Sequence, residues 1–154
     1  MDYIERAFED AKWGLPSQEP VVEMCIPSVV DPSLAPPGKH FVSMFVQYAP
    51  YQRADGRAWD KTTERENAES VFAVIRRYVR NWDDVLIDYQ ILSPKGLEDR
   101  FGLTGGNIFH GEMSLDQLLF ARPTPAMSRY ATPIAGFYLC GSGCHPGEIG
   151  RAHV

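Results

Sequence analysis

The feature that most constrains this sequence is a series of apolar residues with helical spacing in the middle of the chain. Six of them recur with the i, i+3, i+4, i+7 pattern: Val71, Val74, Ile75, Tyr78, Val79 and Trp82. Such residues line one face of an α-helix, and Thr63 with Glu66 three residues later has the form of a capping box. The pattern predicts a helix over Lys61–Arg80 whose apolar face is buried against a second layer of structure.

Four β-strands are predicted around this helix. Alternation of side-chain character predicts strands at Val21–Ile26 and His40–Tyr48, with the proline-rich segment Asp31–Gly38 as a stiff loop between them. The apolar run Val85–Leu92 predicts a third strand, and Phe137–Cys140 predicts a short fourth one.

Three further helices complete the outline. The first covers Tyr3–Trp13, a second starts at Ser93–Pro94 with proline at its first position, and a short one covers Ser114–Phe120. Helices and strands do not alternate in regular βαβ units. This order favours an α+β fold, with helices packed on one face of a mixed sheet, over a doubly wound parallel sheet.

Composition excludes several classes of function. The formal net charge is −5 and no dense lysine or arginine run is present, which argues against a nucleic-acid partner. No apolar run approaches the roughly 18 residues that a membrane-spanning helix needs. Three cysteines in 154 residues indicate free thiols in a reducing compartment better than a disulfide framework.

A glycine-rich stretch, Gly141–Gly147, follows the last predicted strand. Glycine lets backbone N–H groups approach a ligand where a Cβ would block contact, which suits a pyrophosphate. The dinucleotide fingerprint also needs a following helix and an acidic residue about 20 positions later, and the chain ends before these. A plain turn after an edge strand is therefore the alternative interpretation.

Cys140, Cys144 and His145 raise two other hypotheses. Three residues separate the cysteines, whereas the haem-attachment pattern has two, so a covalent haem is disfavoured. A zinc site that also uses His153 is chemically feasible. The simpler interpretation treats both cysteines as small core hydrophobes, which predicts that Cys140 is packed inside the protein.

Two other segments carry candidate functional residues. The glycine clusters in Gly102–Glu112 predict a loop that forms the wall of a ligand cavity, with His110 either as an acid–base group or as a hydrogen-bonded structural residue. Arg122, which precedes Pro123, can bind a phosphate or carboxylate, or it can satisfy carbonyl groups at the end of a helix.

Taken together, four ordered motifs resemble the C-terminal part of the phytoene-desaturase-like FAD-dependent oxidoreductases. They are DPSLAPPGKH (residues 31–40), GLTGGNIFHGEMSLDQL (102–118), ARP (121–123) and GFYLCGSGCHPG (136–147). The resemblance implies a Rossmann-type flavin domain with an inserted substrate domain. Residues 1–135 would be part of the substrate domain, and residues 136–147 would be the strand and turn that return to a truncated flavin domain.

The resemblance also implies a function and a set of cofactor-binding residues. The intact parent would pass a hydride or electrons between FAD and an apolar or amphipathic organic substrate. Six residues would lie along the flavin: Gly141, Ser142, Gly143, His145, Pro146 and Gly147. No catalytic acid or base and no metal ligand is assigned, although His110 and His145 are candidates for proton transfer. The N-terminal half of the flavin site is missing, so this chain by itself is expected to be inactive.

The last seven residues depart from the family, which continues HPGGGV-x-G into a helix. Glu148–Val154 is what one reading frame of a common sequencing-library adapter encodes, so we expect a non-native tail over residues 148–154. The expected partners are a small-molecule substrate and, in the intact parent, a second copy or another protein. The expected compartment is the cytoplasm in bacteria or the mitochondrial matrix in animals. The rival interpretation is a free-standing α+β binding or interaction module without a cofactor.

Overall fold

A computed structural model of the chain describes residues 2–147. The chain divides into two compact units, Met1–Pro94 and Lys95–Val154, each described here by itself. The sequence-based boundary between residues 135 and 136 concerns the proposed parent and stays a prediction. The predicted non-native tail, residues 148–154, lies outside the described residues.

The first unit has an α+β layout. Helix α1 (Asp2–Lys12) precedes strands β1 (Val21–Cys25) and β2 (Ser43–Gln47), and helices α2 (Lys61–Arg76) and α3 (Trp82–Val85) follow. In the described residues β1 and β2 form a two-stranded antiparallel sheet in which Val21 lies opposite Gln47 and Cys25 lies opposite Ser43. The α+β class is therefore confirmed, but this sheet is antiparallel rather than mixed.

The core of this unit is built on the apolar face of α2. Its buried side chains are Ala68, Val71, Phe72, Ile75 and Trp82, and partly buried Val22, Met44, Val46, Val79, Leu86 and Ile91 pack against them. One predicted core residue is wrong, because Tyr78 is 82% exposed. Since α2 ends at Arg76, helical spacing no longer determines where the Tyr78 side chain points.

Two strand predictions in the first unit need correction. Val85–Leu92 is not a strand. Val85 is the last residue of α3, and the rest of the segment is irregular backbone from which Leu86 and Ile91 pack against the core. A short apolar run does not by itself distinguish a strand from other buried backbone. Strand β2 starts at Ser43 rather than His40, because Phe41 donates its N–H to the Ser28 hydroxyl (3.0 Å) and not to a strand.

The start of α2 also differs from the prediction. Asp60, not Thr63, is the N-cap: its Oδ1 accepts the backbone N–H groups of Thr62 and Thr63, both at 2.9 Å. The Thr63 hydroxyl in turn accepts the Asp60 N–H at 2.8 Å. The capping box therefore joins residues 60 and 63, and Thr63 is its second member.

This cap predicts a pH dependence. Hydrogen bonds from the Thr63 and Thr62 N–H groups hold the pKa of Asp60 below its usual range. A lowered pKa contributes stability above the unfolded-state value, and that stability is lost as the pH falls towards the folded-state value. We therefore expect the free energy of unfolding of the first unit to decline as the pH falls below about 4, the ordinary pKa of an aspartate, and to decline less steeply in Asp60→Asn.

Urea unfolding at a series of pH values, followed by tryptophan fluorescence, measures the free energy of unfolding. The signal reports on the first unit because Trp13, Trp59 and Trp82 all lie in it. Glu23→Gln removes an exposed carboxylate and is the control. An unchanged pH slope in Asp60→Asn would contradict the prediction.

The second unit is mostly irregular in its described part. Helix α4 (Pro94–Phe101) leads into short 3-10 turns at Thr104–Gly106, Leu115–Gln117, Leu119–Ala121 and Pro125–Met127. The predicted helix at Ser114–Phe120 is thus two separate turns, because Leu118 is extended between them. The predicted strand at Phe137–Cys140 is a single bridge from Tyr138 to Ala131. Among the described residues, no helix is long and apolar enough to cross a membrane.

Candidate functional site

A pocket of about 400 Å³ lies in the second unit, where the sequence predicts the wall of a ligand cavity. Its lining residues are Gly102, Leu103, Thr104, Asn107, His110 and Gly111. All six belong to the segment Gly102–Glu112. The prediction of a cavity wall here is therefore consistent with the geometry.

The pocket loop is held in shape by two carboxamide or carboxylate side chains. Asn107 accepts the Phe109 N–H at 2.9 Å and donates its Nδ2–H to the Gly111 carbonyl at 3.1 Å. Glu98 of α4 accepts the Gly105 N–H at 3.0 Å. Asn107 thus uses its amide on the loop itself, and His110 is the histidine among the lining residues.

The stretch Gly141–Gly147, called the glycine turn below, consists of consecutive tight turns. Cys144 donates its N–H to the Gly141 carbonyl (3.0 Å), and Gly147 donates to the Cys144 carbonyl (2.7 Å). Gly141 and Gly147 have φ values of +104° and +97°, which side chains other than glycine rarely adopt.

The six predicted flavin contacts differ in how exposed they are. Gly141 is exposed, and a Cβ built on it would meet nothing within 4 Å. Gly143, His145 and Pro146 are partly buried. Ser142 and Gly147 are buried. The assignment of all six residues to the flavin stays a prediction.

His145 is oriented by a backbone carbonyl. Its Nδ1 lies 2.8 Å from the Leu119 oxygen, and because a carbonyl only accepts, Nδ1 carries the proton. In the tautomer that carries its proton on Nδ1, Nε2 is an acceptor. The Tyr130 ring meets the imidazole edge to face, with the centroids 5.6 Å apart.

The cysteine prediction is half right. Cys144 is buried, as expected of a small core hydrophobe, but Cys140 is exposed because no strand ladder carries it into the interior. Within the described residues, no group of three or more His, Cys, Asp or Glu side chains could hold a metal ion.

Arg122 connects the glycine turn to the pocket loop. Its Nε donates to the Ser142 carbonyl at 2.8 Å, and its Nη2 donates to the carbonyls of Phe109 (2.6 Å) and His110 (3.0 Å). Its Nη1 donates to the carbonyls of Glu112 and Gln117. Arg122 is only 3% exposed, and the interpretation as a carbonyl-satisfying arginine is the one that the structure supports.

The glycine turn passes close to the pocket wall at His110. A Cβ built on Gly143 would lie 3.7 Å from the His110 Cβ. Gly143 of the turn is therefore a neighbour of the pocket wall.

The glycine turn suits FAD in part. Gly141 leaves its backbone open to a bulky ligand, and no Asp or Glu occurs between Gly136 and Gly147 to repel a pyrophosphate. The residues that fit are Gly141, Gly143, His145 and Pro146.

Comparison with known proteins agrees with the sequence motifs. The protein of Rattus norvegicus named pyridine nucleotide-disulfide oxidoreductase domain-containing protein 2 is 55% identical over 144 residues, which cover 94% of this chain and 25% of the relative. The chain is similar to this oxidoreductase. The Mus musculus protein of the same name is 54% identical over the same shares. The resemblance that the four motifs indicated is thereby confirmed.

A more distant relative has a desaturase name. The phytoene desaturase (lycopene-forming) of Pseudescherichia vulneris is 32% identical over 123 residues, or 79% of this chain and 24% of that protein. The chain thus spans about a quarter of the length of the curated relatives it matches. No family model and no solved structure matches it.

Sequence reasoning missed two residues that shape the site. Asn107 holds the pocket loop, and the Leu119 carbonyl orients His145. An asparagine within a glycine-rich loop is a recognised turn signal and could have indicated the first. Nothing in the local sequence indicates the second, because Leu119 and His145 are 26 positions apart.

Proposed function

We propose that this chain is part of an FAD-dependent oxidoreductase that passes a hydride or electrons between FAD and an apolar or amphipathic organic substrate. The observation that carries the proposal is that the glycine turn lies beside the wall of the pocket, with Gly143 near His110 and Arg122 hydrogen-bonded to both segments. The oxidoreductase and desaturase names of the relatives support the reaction class.

In this proposal FAD supplies the redox chemistry, and the chain supplies binding and orientation. Gly141 and Gly143 would offer backbone that the cofactor can approach closely, and His145 and Pro146 would lie along it. Buried Ser142 and Gly147 keep the turn in shape. His110 is the candidate to take or give a proton, since it lines the pocket and is exposed.

The first experiment compares this chain with the complete natural reading frame that contains residues 2–147. We expect the complete protein to purify with stoichiometric FAD and the 154-residue chain to bind FAD weakly and to be inactive, because the βαβ unit that holds the adenosine half is not in this sequence. Flavin absorbance and mass spectrometry of the released chromophore measure this. A complete protein without flavin would favour the cofactor-free binding module.

The second experiment places a side chain on the open edge of the turn in the complete protein. Gly141→Val should lower FAD occupancy strongly, because its side chain would occupy the space that the cofactor needs. Gly136→Val is the matched control: Gly136 also has a positive φ (+77°) and nothing within 4 Å of a built Cβ, but it precedes the turn. Equal FAD occupancy in the two variants would contradict the proposed contact.

A further inference from the structure

Arg122 uses its whole hydrogen-bonding capacity on backbone carbonyls. A guanidinium has five N–H donors, and here all five donate: one to Ser142 of the glycine turn and four to the segment from Phe109 to Gln117. Arg122 therefore cannot bind a substrate carboxylate or a phosphate directly without giving up some of these bonds.

The charge of Arg122 is buried without a carboxylate partner in the part of the chain that the structure describes. Taking a charge out of water is costly unless hydrogen bonds compensate, and here carbonyl dipoles do so. Dipoles satisfy the guanidinium but leave its net charge in place. A positive charge thus stands directly behind the glycine turn, with Nε 2.8 Å from the Ser142 oxygen.

The stem of Arg122 also fixes the end of the turn. A Cβ built on Gly147 would lie 3.6 Å from the Arg122 Cδ and 3.2 Å from the Met113 Cε. One side chain therefore meets both ends of the glycine turn, through its guanidinium at Ser142 and through its methylenes at Gly147.

We propose that Arg122 is the positioning residue of the flavin site: it holds the glycine turn against the pocket wall, and its buried charge stabilises negative charge on the bound cofactor. This inference rests on the proposed function. It assigns Arg122 no contact with the substrate or the cofactor. Its effect passes through the backbone of Ser142 and His110 and through the electric field of the guanidinium.

Two substitutions separate geometry from charge. Arg122→Gln removes the charge and most of the donors. Arg122→Lys keeps the charge but can satisfy at most three of the five carbonyls. Arg129→Gln is the matched control. Arg129 lies exposed in the same unit, and its substitution removes the same charge.

In the complete natural protein, we expect Arg122→Gln to weaken FAD binding on the order of tenfold and to make the flavin reduction potential more negative, since a charge that stabilises the reduced, anionic flavin is lost. Arg122→Lys should weaken FAD binding less and leave the potential near the wild-type value. Arg129→Gln should behave as wild type in both measurements. FAD titration and spectroelectrochemistry give the two quantities.

Hydrogen exchange of the FAD-free protein provides a readout that is independent of the cofactor. In Arg122→Lys, faster exchange should appear together in peptides from residues 109–112 and 141–144, and it should not appear in Arg129→Gln. If Arg122→Gln fails to fold, the FAD affinity and the hydrogen exchange of Arg122→Lys test the positioning role of Arg122.

The outcomes distinguish the two proposals. A wild-type protein that binds FAD, with Arg122 variants of unchanged affinity and potential, overturns the positioning role and leaves the proposed function standing. A wild-type protein without FAD overturns the proposed function and the flavin role of Arg122 together. Unchanged exchange in both peptides overturns the structural link itself.

Discussion

Phe72→Ala is expected to lower the free energy of unfolding of the first unit by about 3–5 kcal/mol, the usual range for removing a buried aromatic ring. Phe72 lies on the buried face of α2 and is 6% exposed. Its ring lies 5.6 Å from that of Trp82 and 5.0 Å from that of Tyr89. Its removal leaves a cavity where α2 meets the segment that follows it.

Urea unfolding followed by tryptophan fluorescence measures this loss, because all three tryptophans lie in the first unit. Phe41→Ala is the control, since it removes a phenyl ring that is 51% exposed. We expect it to lower the free energy of unfolding by less than about 1 kcal/mol. If the two variants unfold at the same urea concentration, α2 does not carry the core.

Gly147→Val is expected to have the largest effect on the glycine turn, at about 3 kcal/mol or more. A non-glycine residue at a strained positive φ costs roughly 1–3 kcal/mol, and overpacking a filled site adds a similar amount. Gly147 has φ +97°, and its built Cβ would meet Met113, Arg122 and Leu118 within 4 Å.

Gly141→Val isolates the effect of packing. Gly141 has a similar φ of +104° but open space beside it, so its variant carries the backbone strain without the collision. Hydrogen exchange at the Leu119 N–H, which donates to the Pro146 carbonyl at 3.1 Å, reports whether the turn opens. Equal exchange at Leu119 in the two variants would show that packing at Gly147 contributes nothing.

The glycine turn gives two independent tests because its residues have different surroundings. In the FAD-free protein Gly147→Val should open the turn more than Gly141→Val does. In the complete protein Gly141→Val should still reduce FAD binding, since the open face of the turn is the one proposed to meet the cofactor. A turn that serves only to reverse the chain would show the first effect without the second.

Local patterns predicted the helices well where one face of the helix is buried. The spacing of Val71, Val74 and Ile75 identified the buried face of α2, because helical periodicity requires no knowledge of the partner surface. Strand β1 was predicted within one residue for a similar reason. The four motifs also identified the family resemblance, since a motif depends on residue order and not on folding.

Predictions failed where a distant group decides the local backbone. The Ser28 hydroxyl accepts the N–H of Phe41, so β2 is shorter than predicted. Leu86 and Ile91 pack against the core although their segment is not a strand. Phe137–Cys140 lacks a continuous ladder in the described residues, so an apolar run that resembles a strand remains a single bridge.

The sequence by itself determined which residues can turn tightly and which helical face is apolar, because glycine freedom and side-chain periodicity are local properties. Only the tertiary structure decided the role of Arg122, because its five carbonyl partners lie 5 to 20 positions away along the chain. The residue type of an acceptor does not indicate a hydrogen bond to its backbone oxygen, since every residue has a carbonyl. The fold therefore distinguished a phosphate-binding arginine from one that joins the glycine turn to the pocket.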